Sequence, residues 1–214
     1  MDIAIPLFDR FTGLDAIGPY EVLARLPGAR VRFLGPEPGP IATERGLTVH
    51  AEAAYEDVPA PEIVVVPGGT GTRDLLHDER LLGWIRRADA TARWTTSVCT
   101  GSLLLGAAGL LDGVRATTHW IELESLRRFG AQPVDERIVE EGRIITAAGV
   151  SAGIDMALLL AARVAGEDVA RAIQLGIEYH PEPPFDSGSV ATAAPETVEA
   201  VRAAATWRLR PAAA

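Results

Sequence analysis

Four consecutive β-branched residues, Ile63-Val64-Val65-Val66, constrain this chain more than any other stretch. Branching at Cβ favours extended backbone. No polar residue alternates within the run, so both faces of the strand must be covered. That is the situation of a parallel sheet with helices on either side. Pro67-Gly68-Gly69-Thr70-Gly71-Thr72 then ends it. Further extended patterns lie at 3–8 (with Pro6 a blemish), 30–34, 94–98, 114–118, 137–141 and 143–146. Helical patterns alternate with them, from about residue 15 to 26, through 81–85, and at 102–111, 120–129, 152–164, 167–179 and 195–208. The proline-rich stretch 35–61 reads as loop, with a short hairpin through Leu47-Thr48-Val49. This alternation predicts an α/β fold, a three-layer sandwich around a mostly parallel sheet, in a single domain over 1–214. Ligands of such sheets bind beyond the carboxyl ends of the strands.

Composition removes several classes of function. Net charge is −9, from 20 basic and 29 acidic residues, and no basic run exceeds two arginines. Nucleic-acid binding needs the opposite balance, so no nucleic-acid partner is expected. No apolar run approaches the ~18 residues of a membrane span and no signal peptide is visible, so no membrane partner is expected. A single cysteine cannot form an internal disulfide and suits a reducing cytoplasm. The sequence has no lysine, which excludes Schiff-base chemistry and a P-loop. It has no asparagine, which excludes a Cys-His-Asn protease triad. The four histidines, His50, His77, His119 and His180, are not paired at metal-ligand spacing, so no metal site is expected.

That one cysteine, Cys99, sits where a β-branched segment, Trp94-Thr95-Thr96-Ser97-Val98, gives way to the Leu/Ala-rich segment from Ser102. A side chain at such a joint stands out of the sheet beside a helix N-terminus, the geometry of a nucleophile elbow. Helix amides there favour thiolate over thiol. A lone cysteine is more often a small buried hydrophobe, and it is the elbow context that favours function.

Two other joints fall at the same rim. Attack by Cys99 creates charge that backbone amides can stabilise. The Thr100 amide is one candidate donor and Gly69 a second, with Gly68 and Thr70 beside it. Asp15, after the first strand, would share a proton with the thiol and act as donor and acceptor. Its commoner job would be a helix N-cap. Thr100 offers a hydroxyl to hold Asp15 or water. His119, in Thr117-Thr118-His119-Trp120, is either a base or a packing and substrate-side histidine.

At these residues the chain resembles the ThiJ/PfpI superfamily, whose fold is flavodoxin-like. The carrying motifs are Asp15-Ala16-Ile17-Gly18-Pro19, Val66-Pro67-Gly68-Gly69, Val98-Cys99-Thr100-Gly101-Ser102 and Ala116-Thr117-Thr118-His119-Trp120. Two longer segments, 149–157 and 176–185, are similar to its isonitrile hydratase branch and are shared with sensing domains of AraC-type regulators. The protease-like members carry histidine directly after the cysteine; here that residue is Thr100. Many relatives carry glutamate where this chain has Asp15, and the shorter acid matches the hydratase branch. The resemblance implies a cofactor-independent hydro-lyase acting on a small molecule. Cys99 attacks an isonitrile, Asp15 moves the proton and Thr100 assists. Gly68, Gly69, Thr70 and His119 line the site. It also implies a homodimer. The rival readings are a redox or stress sensor using Cys99, a ligand-sensing protein, and a glyoxalase-type enzyme.

Overall fold

The structure is a computed structural model and describes residues 1–206. Eleven strands run in the order β1 (Asp2–Pro6), β2 (Arg30–Gly35), β3 (Gly39–Ala42), β4 (Thr48–Ala51), β5 (Ala53–Ala54), β6 (Ile63–Val66), β7 (Trp94–Val98), β8 (Arg115–Ala116), β9 (Gln132–Pro133), β10 (Ile138–Glu141) and β11 (Ile144–Ala147). The α-helices are α1 (Gly13–Leu23), α2 (Glu79–Asp89), α3 (Gly101–Ala107), α4 (Ala152–Ala165), α5 (Glu167–Gly176) and α6 (Pro195–Thr206). Three short 3₁₀ segments, Tyr55–Asp57, Thr70–Leu75 and Trp120–Phe129, join them. Two compact units are present, Met1–Ile177 and the chain from Glu178 onward.

The first unit is built on one seven-stranded sheet, in the order β10-β11-β7-β6-β1-β2-β5. Every pairing in it is parallel except β10 with β11. All four residues of β6 are buried, as an uninterrupted β-branched run requires. Helices cover both faces, so the sequence expectation of a mostly parallel three-layer sheet holds. The hairpin expected near Leu47 is the antiparallel pair β3–β4.

Chain connections make a switch point between β1 and β6. From β1 the chain moves through α1 to its neighbour β2; it returns as β6 on the other side of β1. Loops leaving the carboxyl ends of two such strands diverge and open a crevice. Around this crevice the layers are tightly packed. At Gly153 of α4 an added Cβ would stand 3.0 Å from the Val98 methyls and 3.3 Å from Pro19. Gly101 lies so close to the carbonyl of Val66 that a Cβ there has no room. Gly101→Ala is therefore expected to overpack the β6–α3 junction by about 1–3 kcal/mol. A thermal melt should show a loss of about 2–4 °C for each of those kcal/mol.

Some boundaries move. The pattern at 102–111 is helical only to Ala107, because Gly109 takes a left-handed φ of 82°. The pattern at 114–118 yields a two-residue strand. Thr117 N–H, a donor a longer ladder would have needed, goes instead to Thr146 Oγ1 at 2.9 Å, and Thr118 Oγ1 donates to the Cys99 carbonyl at 2.8 Å. The segment 120–129 is 3₁₀ rather than α. Ser151 stands at the N-cap of α4, yet its side chain makes no capping bond and accepts from Arg137 at 3.3 Å instead. The terminal helix, expected to run to residue 208, is described to Thr206, and its expected end lies outside the described residues. None of the helices among the described residues is long and apolar enough to cross a membrane.

Candidate active site

Four neighbouring strands, β11, β7, β6 and β1, send their carboxyl-end loops to one rim. They deliver Gly149-Val150, Cys99-Thr100, Gly68-Gly69 and Asp15 respectively. Cys99 has a φ of +56°, a region that costs a residue with a Cβ of order 1–3 kcal/mol and persists where surrounding structure enforces it. Enforcement is visible here. The Cys99 N–H donates to the carbonyls of Ala147 and Ala148, at 3.1 and 3.0 Å. Its carbonyl accepts from Thr118 and, at 3.3 Å, from Ser102 Oγ. The elbow expected from sequence is thus formed, with the thiol buried at 5% exposure.

Asp15 lies in the first turn of α1 but does not cap it. Its side chain is fully buried and crosses the switch crevice, where Oδ2 accepts the Gly68 N–H at 2.9 Å. Its other oxygen, Oδ1, is buried with no hydrogen-bond partner, and the Cys99 thiol lies close enough to act on the carboxyl. Burial pushes the Asp15 pKa up to about 7; the Gly68 N–H and the neighbouring Cys99 thiol oppose this, and the charge of Glu44 adds to it. Glu44 arrives from the turn between β3 and β4, which is tied to the β1–α1 loop by Glu44 N–H to Phe11 O at 3.0 Å and Arg10 N–H to Ala42 O at 2.8 Å.

The thiol corrects one expectation. Helix amides were expected to favour thiolate at rest. Instead burial, and then the Asp15 charge, push the Cys99 thiol well above its ordinary value. The amides of Thr100 and Val150 and the Thr100 hydroxyl all face the sulfur and oppose the shift, but desolvation outweighs them. The pair therefore rests as a thiol beside a carboxyl that titrates near neutrality.

Thr100 does something other than hold Asp15. Its Oγ1 accepts the Gly69 N–H at 2.9 Å, donates to Gly69 O at 3.3 Å and sits 3.0 Å from Thr72 Oγ1. Gly68 and Gly69 are shaped for this. A Cβ on Gly68 would lie 2.5 Å from Thr100 N, and Gly69 has a φ of +137°. With both glycine amides engaged, by Asp15 and by Thr100, an anionic group reaches the Gly69 N–H by displacing the Thr100 hydroxyl. Thr100→Val keeps the shape but strands the Gly69 N–H and the Thr72 hydroxyl. It is expected to cost about 1–3 kcal/mol, measurable as a lower denaturant midpoint at unchanged m-value.

Thr70 is half-buried and opens the 3₁₀ segment that carries the buried Thr72. His119, also half-buried, precedes the second 3₁₀ segment. Its Nδ1 accepts the Ile121 N–H at 3.3 Å, so in the neutral ring the proton is on Nε2. The ring stacks on Trp120 at 5.8 Å and lies against Gly149, where a Cβ would come within 2.8 Å of Cδ2. Sequence reading did not assign Thr72 or Val150 to this rim. Val150 had a signal, since it sits in a strand-to-helix joint of the same kind; its φ is +35°, and its amide opposes the upward push of burial on the thiol. Among the described residues no three His, Cys, Asp or Glu side chains cluster in a way that would hold a metal ion.

Comparison with known proteins follows the same lines. The pattern of the DJ-1/PfpI family matches residues 1–163. An isonitrile hydratase of Pseudomonas putida is 46% identical over 212 residues, covering 98% of this chain and 93% of that protein. The HTH-type transcriptional regulator CdhR of Pseudomonas aeruginosa is 30% identical over 78% of this chain, but that match spans 51% of the regulator. Among solved structures, a ThiJ/PfpI family protein from Pseudomonas syringae superposes with a TM-score of 0.94 at 35% identity, covering 96% of this chain and 86% of that one.

Proposed function

The chain belongs to the DJ-1/PfpI family, and from that premise we propose that it hydrates isonitriles to N-substituted formamides, with Cys99 as nucleophile. The observation that carries the reading is the buried Asp15 carboxyl, held by the Gly68 N–H and with Oδ1 unpartnered, beside the buried Cys99 thiol at the switch crevice. The likeness to the Pseudomonas putida isonitrile hydratase supplies the substrate class.

In the proposed sequence, Asp15 takes the thiol proton as sulfur attacks the terminal carbon of R–N≡C. It returns that proton to the same carbon. A C–S bond and a C–H bond have then formed, giving the thioimidate R–N=CH–S–Cys99. Water adds to the imidate carbon, its hydroxyl going to carbon and its proton to nitrogen. Collapse of the adduct breaks the C–S bond, gives R–NH–CHO and returns the proton of the hydroxyl to the Asp15–Cys99 pair. The net reaction is R–NC plus water to R–NH–CHO. An acid–base group works best with a pKa near the working pH, which is where Asp15 stands. The Thr100 and Val150 amides, already facing sulfur, stabilise it when it leaves as thiolate. His119 Nε2–H is a donor suited to the imidate nitrogen.

The test is direct: purified protein with a simple alkyl isonitrile, formamide followed by NMR, and methylglyoxal in a parallel reaction. Formamide production is expected. Consumption of methylglyoxal with the isonitrile untouched would turn the reading to the glyoxalase alternative. We further propose a homodimer in the cytoplasm.

A further inference from the structure

We infer that Arg73 and Glu122 form a positioning pair that fixes His119 at the rim of the Cys99 site; the inference rests on the hydration reaction proposed above. The pair joins the two 3₁₀ segments. Glu122 Oε1 meets the Arg73 guanidinium, while Oε2 accepts from Ser125 Oγ at 2.7 Å. The Glu122 side chain is 9% exposed and that of Arg73 26%. An ion pair this secluded recovers little of its desolvation cost, and apolar side chains of similar volume would stabilise the fold as well. What it supplies is a defined geometry between two segments that start at the rim, one after Gly69 and the other after His119.

On one side, Arg73 follows Thr72, whose hydroxyl is 3.0 Å from that of Thr100. On the other, the Glu122 N–H donates to the His119 carbonyl at 2.8 Å and the Ile121 N–H to His119 Nδ1. A force on Glu122 is thus carried through one tight turn to the His119 ring. That ring lies against Gly149, next to the Val150 amide that faces sulfur. The adjacent residue, Asp74, pairs with Arg10 on the loop leading to Asp15. Both partners there are about half exposed, so water weakens that tie. The Arg73–Glu122 link is the firmer of the two, and it acts on the His119 side.

A double-mutant cycle separates positioning from mere support of the fold. kcat and KM for an alkyl isonitrile are measured for the wild type, Glu122→Gln, His119→Ala and the double variant. Glu122→Gln is expected to lower kcat/KM about tenfold, chiefly through kcat, within the ~100-fold that a 1 Å misplacement can cost. In the His119→Ala background the same change is expected to cost nothing further. An equal loss in both backgrounds overturns the inference. Arg73→Gln must repeat the pattern and replaces Glu122→Gln should that variant not fold. The rate of Cys99 alkylation by iodoacetamide, read by intact mass, runs the same cycle without an isonitrile. Here Glu122→Gln is expected to shift the rate with His119 present and leave it unchanged with His119 removed; identical rates in both backgrounds overturn the pair's role. A wild type inert towards isonitriles defeats the proposed activity, and the alkylation cycle then decides the pair by itself.

Discussion

Cys99→Ala is expected to abolish isonitrile hydration, with kcat falling by about 10⁴-fold or more, the scale on which loss of a covalent nucleophile registers. Cys99→Ser should fall almost as far. A serine hydroxyl is a weaker nucleophile than the thiol and gives up its proton less readily. Neither variant should disturb the fold. The elbow is enforced by backbone bonds to Ala147, Ala148 and Thr118 rather than by the sulfur. Acid quench of the wild type during turnover, followed by intact-mass analysis, should show an adduct equal in mass to one substrate on the peptide containing Cys99. Formamide production by Cys99→Ala at more than a small fraction of the wild-type rate would exclude the covalent route and leave Asp15 as a base acting directly on water.

The features visible in the sequence are those set locally. β6 announces itself because four β-branched residues need nothing distant to be extended, and the glycine joints after β6 and at Cys99 mark where backbones must approach. Asp15 and Cys99 can be brought together on paper because parallel topology sends alternate loops to one rim. Features set by contact between distant segments stay hidden. Thr72 looks like any threonine in a glycine-rich turn until Thr100, 28 residues on, bonds to it. Glu122 occupies a segment whose charges suggest a solvated face, and its burial follows from Arg73 lying opposite. The charge state of the thiol is hidden for the same reason. Helix amides are a local property and could be read, whereas desolvation depends on everything packed around the sulfur, and it is the larger effect.

Asp15→Asn is expected to pull activity and stability in opposite directions. An amide can still accept from the Gly68 N–H, so the local geometry survives, but it cannot take the thiol proton. kcat/KM should fall by about 10²–10⁴-fold. The pH profile should change with it. Wild-type kcat/KM rises with pH through about 7, as Asp15 becomes able to accept the proton. In the variant that limb should vanish, and the remaining activity should rise at the higher pH where Cys99 itself ionises. Stability follows by linkage. The Asp15 pKa is raised in the fold, from 3.8 to about 7, so the folded state binds the proton more tightly than the unfolded chain. Below pH ~4 both states are protonated and the carboxyl exacts no penalty. Between pH ~4 and ~7 the unfolded chain ionises first, and wild-type stability declines as pH rises. Above pH ~7 the penalty is complete. Asparagine carries none of it, so Asp15→Asn should melt at a higher temperature than the wild type at pH 8, and the gap should narrow towards pH 4. A variant that loses activity while melting no higher at pH 8 would show that the buried carboxyl is not strained by ionisation, and the proton-sharing pair could not then be the source of the activity.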